Sequence, residues 1–303
     1  MGKLSPPPEA VPEPRPTRVD VEVAGRSHVG LKRTENQDHF LVGRSERATR
    51  RIVSNLPEGS LPDLIEEAAW FFVVADGLGG AAAGEVASRL AIEVGVQLHA
   101  LRPTWYLRAT PELRPVILER SRQLVRAIDL ELARTAAGDR RLTGMGTTMT
   151  IVSTMGTDLF VAHVGDSRAS LFRDGSLIRL TRDHTVIASL VDMGAMDQEA
   201  AERHPLRHLL AHALGRGSRD LPVEVSNREL QDGDLLVLSS DGMHGVVPDE
   251  VIVSRLKRVV ERGDSVETAA EQLIDEALAA GGPDNVTAVV ARFRVDHGAD
   301  AVA

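Results

Sequence analysis

Three apolar runs of the sequence stop at, or start just after, an aspartate in a stretch that contains glycine. Asp76 ends the run Phe71–Ala75, Asp241 ends the run Leu235–Ser240, and each is followed by glycine. Asp284 lies in a Gly-Pro-Asp-Asn turn just before another apolar run. A strand end holds a carboxylate rigidly, and glycine lets the backbone come close to a ligand. Three acids at the ends of buried strands are expected to bind a cation.

Asp38 and Asp166 extend this set to five turn or strand-end carboxylates. Any one of them alone is a common turn residue, and Asp76 alone would serve as a helix cap. Together they repel one another, which is tolerable if they hold hard divalent cations. The chain has no cysteine, which excludes disulfides, thiolate zinc sites and cysteine nucleophiles. Oxygen-only ligation favours magnesium or manganese over zinc.

Other polar residues near these acids are candidates for binding or support. Arg33 precedes Asp38, and an arginine beside a cation cluster implies an anion between them, for which phosphate is suited; alone, Arg33 would be a surface residue. His208 and His212 have the spacing of a metal pair on a helix face, but no cysteine or motif glutamate supports a zinc site. No serine–histidine motif accompanies the serines that flank the acids, so these are interpreted as hydrogen-bond partners of the acids: Ser167, Ser239 and Ser240.

Composition narrows the class of protein. The 303 residues are 43% hydrophobic and 26% charged with a net charge of −9, which suits a globular domain and argues against a basic nucleic-acid-binding face. No run of about 18 apolar residues and no secretory signal are found, so we expect no membrane partner and a cytoplasmic location.

The pattern of elements predicts one domain at 19–296 between a flexible proline-rich tail at 1–18 and a C-terminal tail at 297–303. Strands and helices are segregated, which favours antiparallel sheets with outer helices over a doubly wound parallel sheet. Residues 25–34 are expected to form a turn-rich connection, 44–69 a strand extension or hairpin with a long surface loop, and 173–176 a tight hairpin turn. Helices are predicted at 81–101, 111–137 (with Pro111 in the first turn), 248–262 and 264–280, and the main strands at 19–23, 39–42, 71–75, 147–153, 158–164, 168–172, 177–180, 223–225, 235–238 and 286–295.

Seven short motifs in a fixed order carry a resemblance to a known family. The chain resembles the metal-dependent protein serine/threonine phosphatases of the PPM (type 2C) family, most of all their bacterial members. The ordered set is far more specific than any one motif. The matching stretches are Arg33–Asp38, Val74–Gly80, Gly146–Thr148, Val161–Arg168, Thr181–Thr185, Ser239–Gly242 and Gly282–Thr287.

The resemblance implies an α+β fold, a four-layer α-β-β-α sandwich of two antiparallel sheets flanked by helix pairs. It also implies Mn²⁺ or Mg²⁺ as cofactor, two per site with a third, weaker position, and a variable flap at about 185–221. The implied roles are a bridging ligand for two metals (Asp76), a carbonyl ligand (Gly77), ligands completing the second position (Asp241 and Asp284), a third-metal ligand shared with Asp241 (Asp166), a holder of metal-bound water (Asp38) and a phosphate-binding arginine (Arg33).

The reaction implied by the resemblance is hydrolysis of phosphoserine and phosphothreonine in proteins, by direct attack of a hydroxide that bridges the two metals. The partners implied are phosphorylated proteins, including a serine/threonine kinase, with the phosphatase itself a monomer. Gln37 replaces an acid, and Leu78 a proposed general-acid histidine, of eukaryotic relatives. Two alternatives therefore stay open: a weak or inactive regulator that binds phosphoproteins, and a phosphatase dedicated to one partner.

Overall fold

A computed structural model describes residues 18–57, 60, 64–79, 81–100, 109–218 and 220–296. The predicted N-terminal tail, apart from Arg18, and the predicted C-terminal tail lie outside these residues, as does Gly80 of the second motif. The strands of the described residues are β1 (Arg18–His28), β2 (Asp38–Arg50), β3 (Leu64–Leu78), β4 (Gly146–Thr147), β5 (Met149–Met155), β6 (Asp158–Val164), β7 (Arg168–Arg173), β8 (Ser176–Arg179), β9 (Glu224–Glu229), β10 (Leu235–Ser239) and β11 (Val286–Asp296).

The strands form two antiparallel sheets. One sheet has the order β1-β11-β10-β7-β8, and the other has the order β2-β3-β5-β6-β9 with the short β4 paired to β3. The helices are α1 (Ala81–Ala100), α2 (Arg114–Gly138), α3 (Val186–Asp192), α4 (Gln198–Glu202), α5 (Asp241–His244), α6 (Asp249–Arg262) and α7 (Val266–Ala279). No described helix is both long enough and apolar enough to span a membrane.

Alternating side chains build the layers. In β3, Phe72 and Val74 lie in the core between the sheets, whereas Val73 and Ala75 pack with residues of α1 and α2. Successive residues of a strand face opposite sides of its sheet, so an apolar run such as this is buried on both faces. The same division occurs in β10, where Leu236 and Leu238 point inward and Leu235 and Val237 pack with α6 and α7. The predicted four-layer α-β-β-α sandwich is therefore confirmed.

The long hairpin of β2 and β3 departs from the predicted strand lengths. The two strands pair from Asp38↔Asp76 to Arg50↔Leu64, so the hairpin that was one alternative for 44–69 is confirmed and the predicted short strand at 39–42 is wrong. The outer part of β2 is mostly exposed and rich in arginine and glutamate. It therefore lacks the apolar alternation by which a strand is recognised in a sequence.

Two other predicted boundaries are also wrong. The turn expected at 25–34 starts later, because β1 pairs with β11 as far as His28↔Val286, and Gly25 leaves room for the Phe40 ring. Helix α2 begins at Arg114, and its first-turn proline is Pro115 instead of Pro111. The Thr110 carbonyl accepts the N–H groups of residues 113 and 114, which closes a separate turn before the helix.

The 185–221 segment, which the family resemblance predicts as a variable flap, contains the short helices α3 and α4 followed by irregular chain. The side chains of Thr185 and Asp197 cap these helices by accepting backbone N–H groups at 3.1 and 2.7 Å. His184 anchors both ends of the first part of the segment, because its own N–H donates to the Gly165 carbonyl at 2.7 Å and its carbonyl accepts the Ala211 N–H at 2.8 Å. The segment thus lies beside the turn that carries Asp166.

Candidate metal centre

Strand pairing brings the first two acids together. Asp38 begins β2 and stands directly opposite Asp76 in β3. Strand β3 continues two residues beyond Asp76, to Leu78, and α1 begins only at Ala81, so the alternative that Asp76 is a helix cap is wrong. Directly opposite residues of an antiparallel pair have Cα atoms about 4.5–5.5 Å apart. The two carboxylates therefore lie at one edge of this sheet.

The backbone of Asp76 is fixed by two threonines of the Gly-Thr-Thr motif. The Asp76 carbonyl accepts a hydrogen bond from the Thr148 N–H at 2.8 Å and another from the Thr147 hydroxyl at 2.8 Å. The Asp76 N–H donates to the Thr148 hydroxyl at 2.9 Å. The Gly77 N–H donates to the Gln37 carbonyl at 3.1 Å. These bonds hold the Asp-Gly peptide in a single orientation.

Close packing around Gly77 explains the two glycines of this region. A Cβ atom at Gly77 would lie 2.1 Å from the carbonyl oxygen of Gly84 in α1. A Cβ atom at Gly84 would lie 2.8 Å from the Gln37 side-chain amide. Helix α1 therefore rests directly on the Asp-Gly turn, and the Gln37 side chain packs against α1.

The other sheet supplies Asp241 and Asp284. Asp241 is the first residue of α5, a four-residue helix that the sequence did not predict, and Asp284 lies two residues before β11. A Cβ atom at Gly242 would lie 1.9 Å from the Asn285 carbonyl oxygen, so the two turns pack directly together. The charge of Asp241 raises the pKa of Asp76, so the acids at the edges of the two sheets are within electrostatic reach of each other.

The Asp38 carboxylate is buried, and its two oxygens differ in their hydrogen bonds. Its Oδ2 accepts hydrogen bonds from the Ser240 hydroxyl at 2.6 Å and the Thr287 hydroxyl at 2.7 Å. Its Oδ1 is buried and has no hydrogen-bond partner among the described residues. Burial, opposed by these two hydroxyl donors and reinforced by the charges of Asp241 and Asp284, raises the pKa of Asp38 to about 7. Ser240 is thus the hydrogen-bond partner that the sequence predicted.

The carboxyl groups of Asp76 and Asp166 are also difficult to ionise. Burial raises the pKa of Asp76 well above its usual value, and the charges of Asp38, Asp241, Asp166 and Asp284 raise it further. Burial and the charge of Asp241 likewise raise the pKa of Asp166. Mutual repulsion of this kind is relieved by bound cations.

Arg33 lies near the cluster, and its side chain forms an ion pair with one of the acids. Its Nη2 donates to Asp284 Oδ2 at 2.7 Å, and this bond raises the pKa of Arg33. Its loop is held by Asn285, whose side-chain amide donates to the carbonyls of Val29 at 2.9 Å and Glu35 at 2.8 Å. Asn285 had no role predicted from the sequence, although its place beside Asp284 in a matched motif was a usable signal.

Asp166 lies in the turn between β6 and β7 and is almost fully buried. That turn is braced by Arg168, which binds both carboxylate oxygens of Asp183 at 2.9 and 2.6 Å. Ligand atoms of Asp166, Asp241 and His208 all lie within 4.8 Å of one another. His208 comes from the 185–221 segment, and no local sequence pattern links it to either acid.

His208 and His212 have different neighbours. The His208 Nδ1 lies 3.7 Å from Asp241 Oδ2, whereas the His212 ring packs edge-on against His184 with centroids 6.0 Å apart. A second cluster contains His163, His184 and Glu224. In it the His163 Nε2 faces two carbonyl oxygens at 2.9 and 3.1 Å, so this nitrogen carries a proton and does not ligate a metal.

The two other flanking serines have different partners from Ser240. Ser167 hydrogen-bonds the Thr148 hydroxyl at 2.7 Å, and Ser239 hydrogen-bonds His244 Nδ1 at 2.9 Å. Both bonds support residues next to the acids instead of the acids themselves. In the serine–histidine contact, burial lowers the pKa of His244 well below its usual value.

The residues at this edge fit hard divalent cations. The donors are carboxylate and carbonyl oxygens, one buried carboxylate oxygen lacks a hydrogen-bond partner, and several of the acids raise one another's pKa. Magnesium and manganese prefer such oxygen donors. Asp76 is within electrostatic reach of the other four predicted aspartates and of Arg33, although these residues come from separate parts of the sequence.

Comparison with known proteins identifies the family. The family model of protein phosphatase 2C matches residues 64–279, which is more than half of the chain. The chain belongs to the protein phosphatase 2C family. Its matched region contains Asp76, Asp166 and Asp241, and it ends five residues before Asp284.

Individual members of the protein phosphatase 2C family are similar over most of this chain. The serine/threonine protein phosphatase PstP of Mycobacterium tuberculosis is 38% identical over 88% of the chain, but the match spans only 44% of that protein's length. The serine/threonine phosphatase stp of Listeria monocytogenes is 30% identical over 76% of the chain and 87% of its own length. The crystal structure of the PstP catalytic domain in complex with two manganese ions has a TM-score of 0.70 and 33% identity, covering 91% of this chain and all of that one.

Proposed function

We propose that this chain is a metal-dependent protein phosphatase that hydrolyses phosphoserine and phosphothreonine in proteins. One observation carries the proposal: strand ends from both sheets place five carboxylates and one arginine at a single edge of the sandwich. The membership of the protein phosphatase 2C family and the two manganese ions in the PstP catalytic domain support it.

Asp76, the Gly77 carbonyl, Asp241 and Asp284 would hold two cations, either Mn²⁺ or Mg²⁺. Asp166 and Asp241 would hold a third. When bound, such cations lower the pKa of coordinated water and neutralise charge on a phosphoryl group. The threonine hydrogen bonds to Asp76 keep its carboxylate and the following carbonyl in place for this binding.

Asp38 and Arg33 would act on water and phosphate. Asp38 Oδ2 is held by Ser240 and Thr287, so its unpartnered Oδ1 is the oxygen free to accept a proton from, or a hydrogen bond of, the attacking water. Arg33 is exposed enough to reach substrate and would bind phosphoryl oxygens in place of Asp284. The 185–221 segment borders this edge and is proposed as the flap that contacts substrate.

The substrates would be phosphorylated proteins, with a serine/threonine kinase among the partners. The monomeric state and the cytoplasmic location stay predictions from the sequence. The activity proposed here is that of the domain, since the chain spans less than half the length of its mycobacterial relative.

A second candidate is a binding module with little turnover. It is favoured by Leu78, which places an apolar side chain beside Asp76-Gly77 where a proton donor would otherwise act, and by the direct pairing of Arg33 with Asp284. The two candidates differ in turnover but agree on the binding of phosphoproteins.

The deciding experiment measures phosphate release from a phosphothreonine peptide with and without Mn²⁺, and peptide binding by calorimetry. We expect manganese-dependent release by the wild type and none by Asp76→Asn. Equal release by both proteins would contradict the proposal. Peptide binding without manganese-dependent release would favour the binding module.

A further inference from the structure

Helix α2 carries a fully buried aspartate whose role is not explained by the metal centre. Asp129 Oδ1 accepts backbone N–H groups from Gly215, Arg216 and Gly217 at 2.7, 3.1 and 3.2 Å. Successive N–H groups that converge in this way form a nest, a backbone concavity suited to an anion. The other oxygen of Asp129 is buried and has no hydrogen-bond partner among the described residues. One carboxylate oxygen thus organises the whole turn.

The turn at 215–217 requires glycine at both ends. Gly215 has φ of 110° and Gly217 has φ of 61°, in the region that disfavours side chains. A Cβ atom at Gly215 would lie 2.5 Å from the Met145 carbonyl oxygen, and one at Gly217 would lie 2.9 Å from Ala133 Cβ in α2. The turn is therefore pressed between α2 and the chain that leads into β4.

The residue before this turn is tied to the metal centre. Leu214 and Thr147 exchange two backbone hydrogen bonds, at 3.1 and 2.9 Å. Thr147 in turn pairs with Gly77 of β3, and its hydroxyl donates to the Asp76 carbonyl. A continuous ladder therefore runs from the Asp76-Gly77 peptide through Thr147 to Leu214, and it ends at the nest that Asp129 fills.

We propose that Asp129 is a positioning residue for the metal centre. By fixing the turn at 215–217 it holds the Leu214–Thr147 rung, and through that rung it fixes the carbonyl of Asp76 and the orientation of Gly77. The inference about metal binding rests on the proposed function, whereas the inference about the turn does not. Residues that orient metal ligands without touching the metal commonly change its affinity by roughly 10–100-fold when they are lost.

A matched control is Asp158, the first residue of β6. This aspartate is also buried, and it pairs with Arg114 at the start of α2, with Nε to Oδ1 at 2.8 Å. It anchors α2 to β6, and within the described part of the chain none of its hydrogen bonds involves the 185–221 segment or the Gly-Thr-Thr motif. Asp158→Ala therefore removes a buried carboxylate from the same helix–sheet interface without touching the ladder.

The first measurement is hydrogen exchange of the full chain without metal. In Asp129→Ala, the amides of residues 215–217 should exchange on the order of tenfold faster than in the wild type, because they lose their acceptor. Trypsin should also cut faster after Arg216, whose side chain is exposed within this turn. Asp158→Ala should leave both rates at the wild-type level.

The second measurement is calorimetric titration with Mn²⁺ alone, together with kcat and KM for a phosphopeptide. Asp129→Ala should weaken Mn²⁺ binding by roughly tenfold and lower kcat at subsaturating Mn²⁺, and added Mn²⁺ should restore much of kcat. Asp129→Asn keeps the Oδ1 acceptor without the charge, so it should fall between Asp129→Ala and the wild type. If Asp129→Ala does not fold, the comparison of Asp129→Asn with Asp158→Asn decides in its place.

Three results would overturn the inference. Unchanged exchange at 215–217 in Asp129→Ala would show that the carboxylate does not hold the turn. Faster exchange with the Mn²⁺ affinity of Asp158→Ala would show that the turn is not coupled to Asp76. If Asp129→Asn and Asp158→Asn gave the same exchange rates and the same Mn²⁺ affinity, the result would show that the Asp129 carboxylate has no special role at the turn or at the metal centre. An inactive wild type that still binds Mn²⁺ would instead contradict the proposed function and leave both measurements valid.

Discussion

Arg33 and Asp284 form a direct ion pair, with Nη2 2.7 Å from Oδ2, at the edge where the two sheets meet. Asp284 lies beside the other acids, so Arg33 occupies a carboxylate oxygen that we propose as a metal ligand. Binding of metal at Asp284 and binding of phosphate by Arg33 should therefore be linked, since each requires the pair to open.

Replacement of Arg33 by alanine should separate these two functions. We expect KM for a phosphopeptide to rise by roughly tenfold or more, because hydrogen bonds to charged groups are lost. The Mn²⁺ affinity should stay the same or increase, because a competing cation has left Asp284. Calorimetry and steady-state kinetics measure the two effects, with Arg47→Ala on the distant hairpin as control. Weaker Mn²⁺ binding by Arg33→Ala would contradict the linkage.

Asp76→Asn should abolish turnover but stabilise the metal-free protein. The folded-state pKa of Asp76 is raised by burial and by its neighbours, so its ionisation costs stability as the pH rises through that pKa. In the presence of a chelator, the melting temperature of Asp76→Asn should exceed that of the wild type, by more at pH 8 than at pH 5.5.

The control for this stabilisation is Asp234→Asn, which removes a buried carboxylate that is already paired. Asp234 binds Arg173 with Nη2 to Oδ2 at 2.6 Å, so its loss should lower the melting temperature. A melting temperature of Asp76→Asn at or below that of the wild type at pH 8 would show that the acids do not strain the metal-free fold.

Acid should destabilise the fold through His163. Burial and the charge of His184 lower the pKa of His163 to about 4, below the 6.5 of an exposed histidine. Between these values the unfolded chain binds more protons, so this residue removes about 3 kcal/mol of stability as the pH falls from 6.5 to 4. Urea unfolding of metal-free protein should show a smaller acid loss for His163→Gln than for the wild type. Parallel pH profiles would contradict this assignment.

Gly77→Ala should damage the centre through the backbone alone. The added methyl group would lie 2.1 Å from the Gly84 carbonyl oxygen, so α1 or the Asp-Gly peptide must move. We expect a loss of stability of about 1–3 kcal/mol and weaker Mn²⁺ binding. Gly138→Ala, at the end of α2, meets nothing within 4 Å and should be neutral or slightly stabilising. Equal effects of the two substitutions in thermal unfolding and calorimetry would contradict this interpretation.

The sequence predicted the layers and the acids because both leave local patterns. Phe72 to Ala75 alternate between two buried faces, and Asp76 follows them directly, so the strand end and its carboxylate were visible together. The order of the short motifs then connected Asp76 with acids more than 150 residues away.

Residues that act across the fold left no such pattern. His208 joins Asp166 and Asp241 only because the 185–221 segment folds back over the turn, and its spacing to His212 was the sole local signal. Asp129 looks like an ordinary polar residue of a helix, since the N–H groups that it accepts lie 86 to 88 residues further along the chain. The full length of β2 was not predicted as one strand, because its outer half is mostly exposed and charged and therefore lacks an alternation of apolar and polar residues.

The pairing of β1 with β11 has a consequence for engineering. Arg18 and Asp296 are ladder partners, so the first and last described residues are neighbours at one end of the sandwich. The acids lie near the opposite end of that pair, beyond His28 and Val286, about 33 Å away along 11 residues of strand. A reporter joined directly to Arg18 or Asp296 would thus lie far from the edge that carries the acids. A short linker between Arg18 and Asp296 would also allow circular permutation of residues 18–296, with new termini in the turn at Asp174 and Gly175.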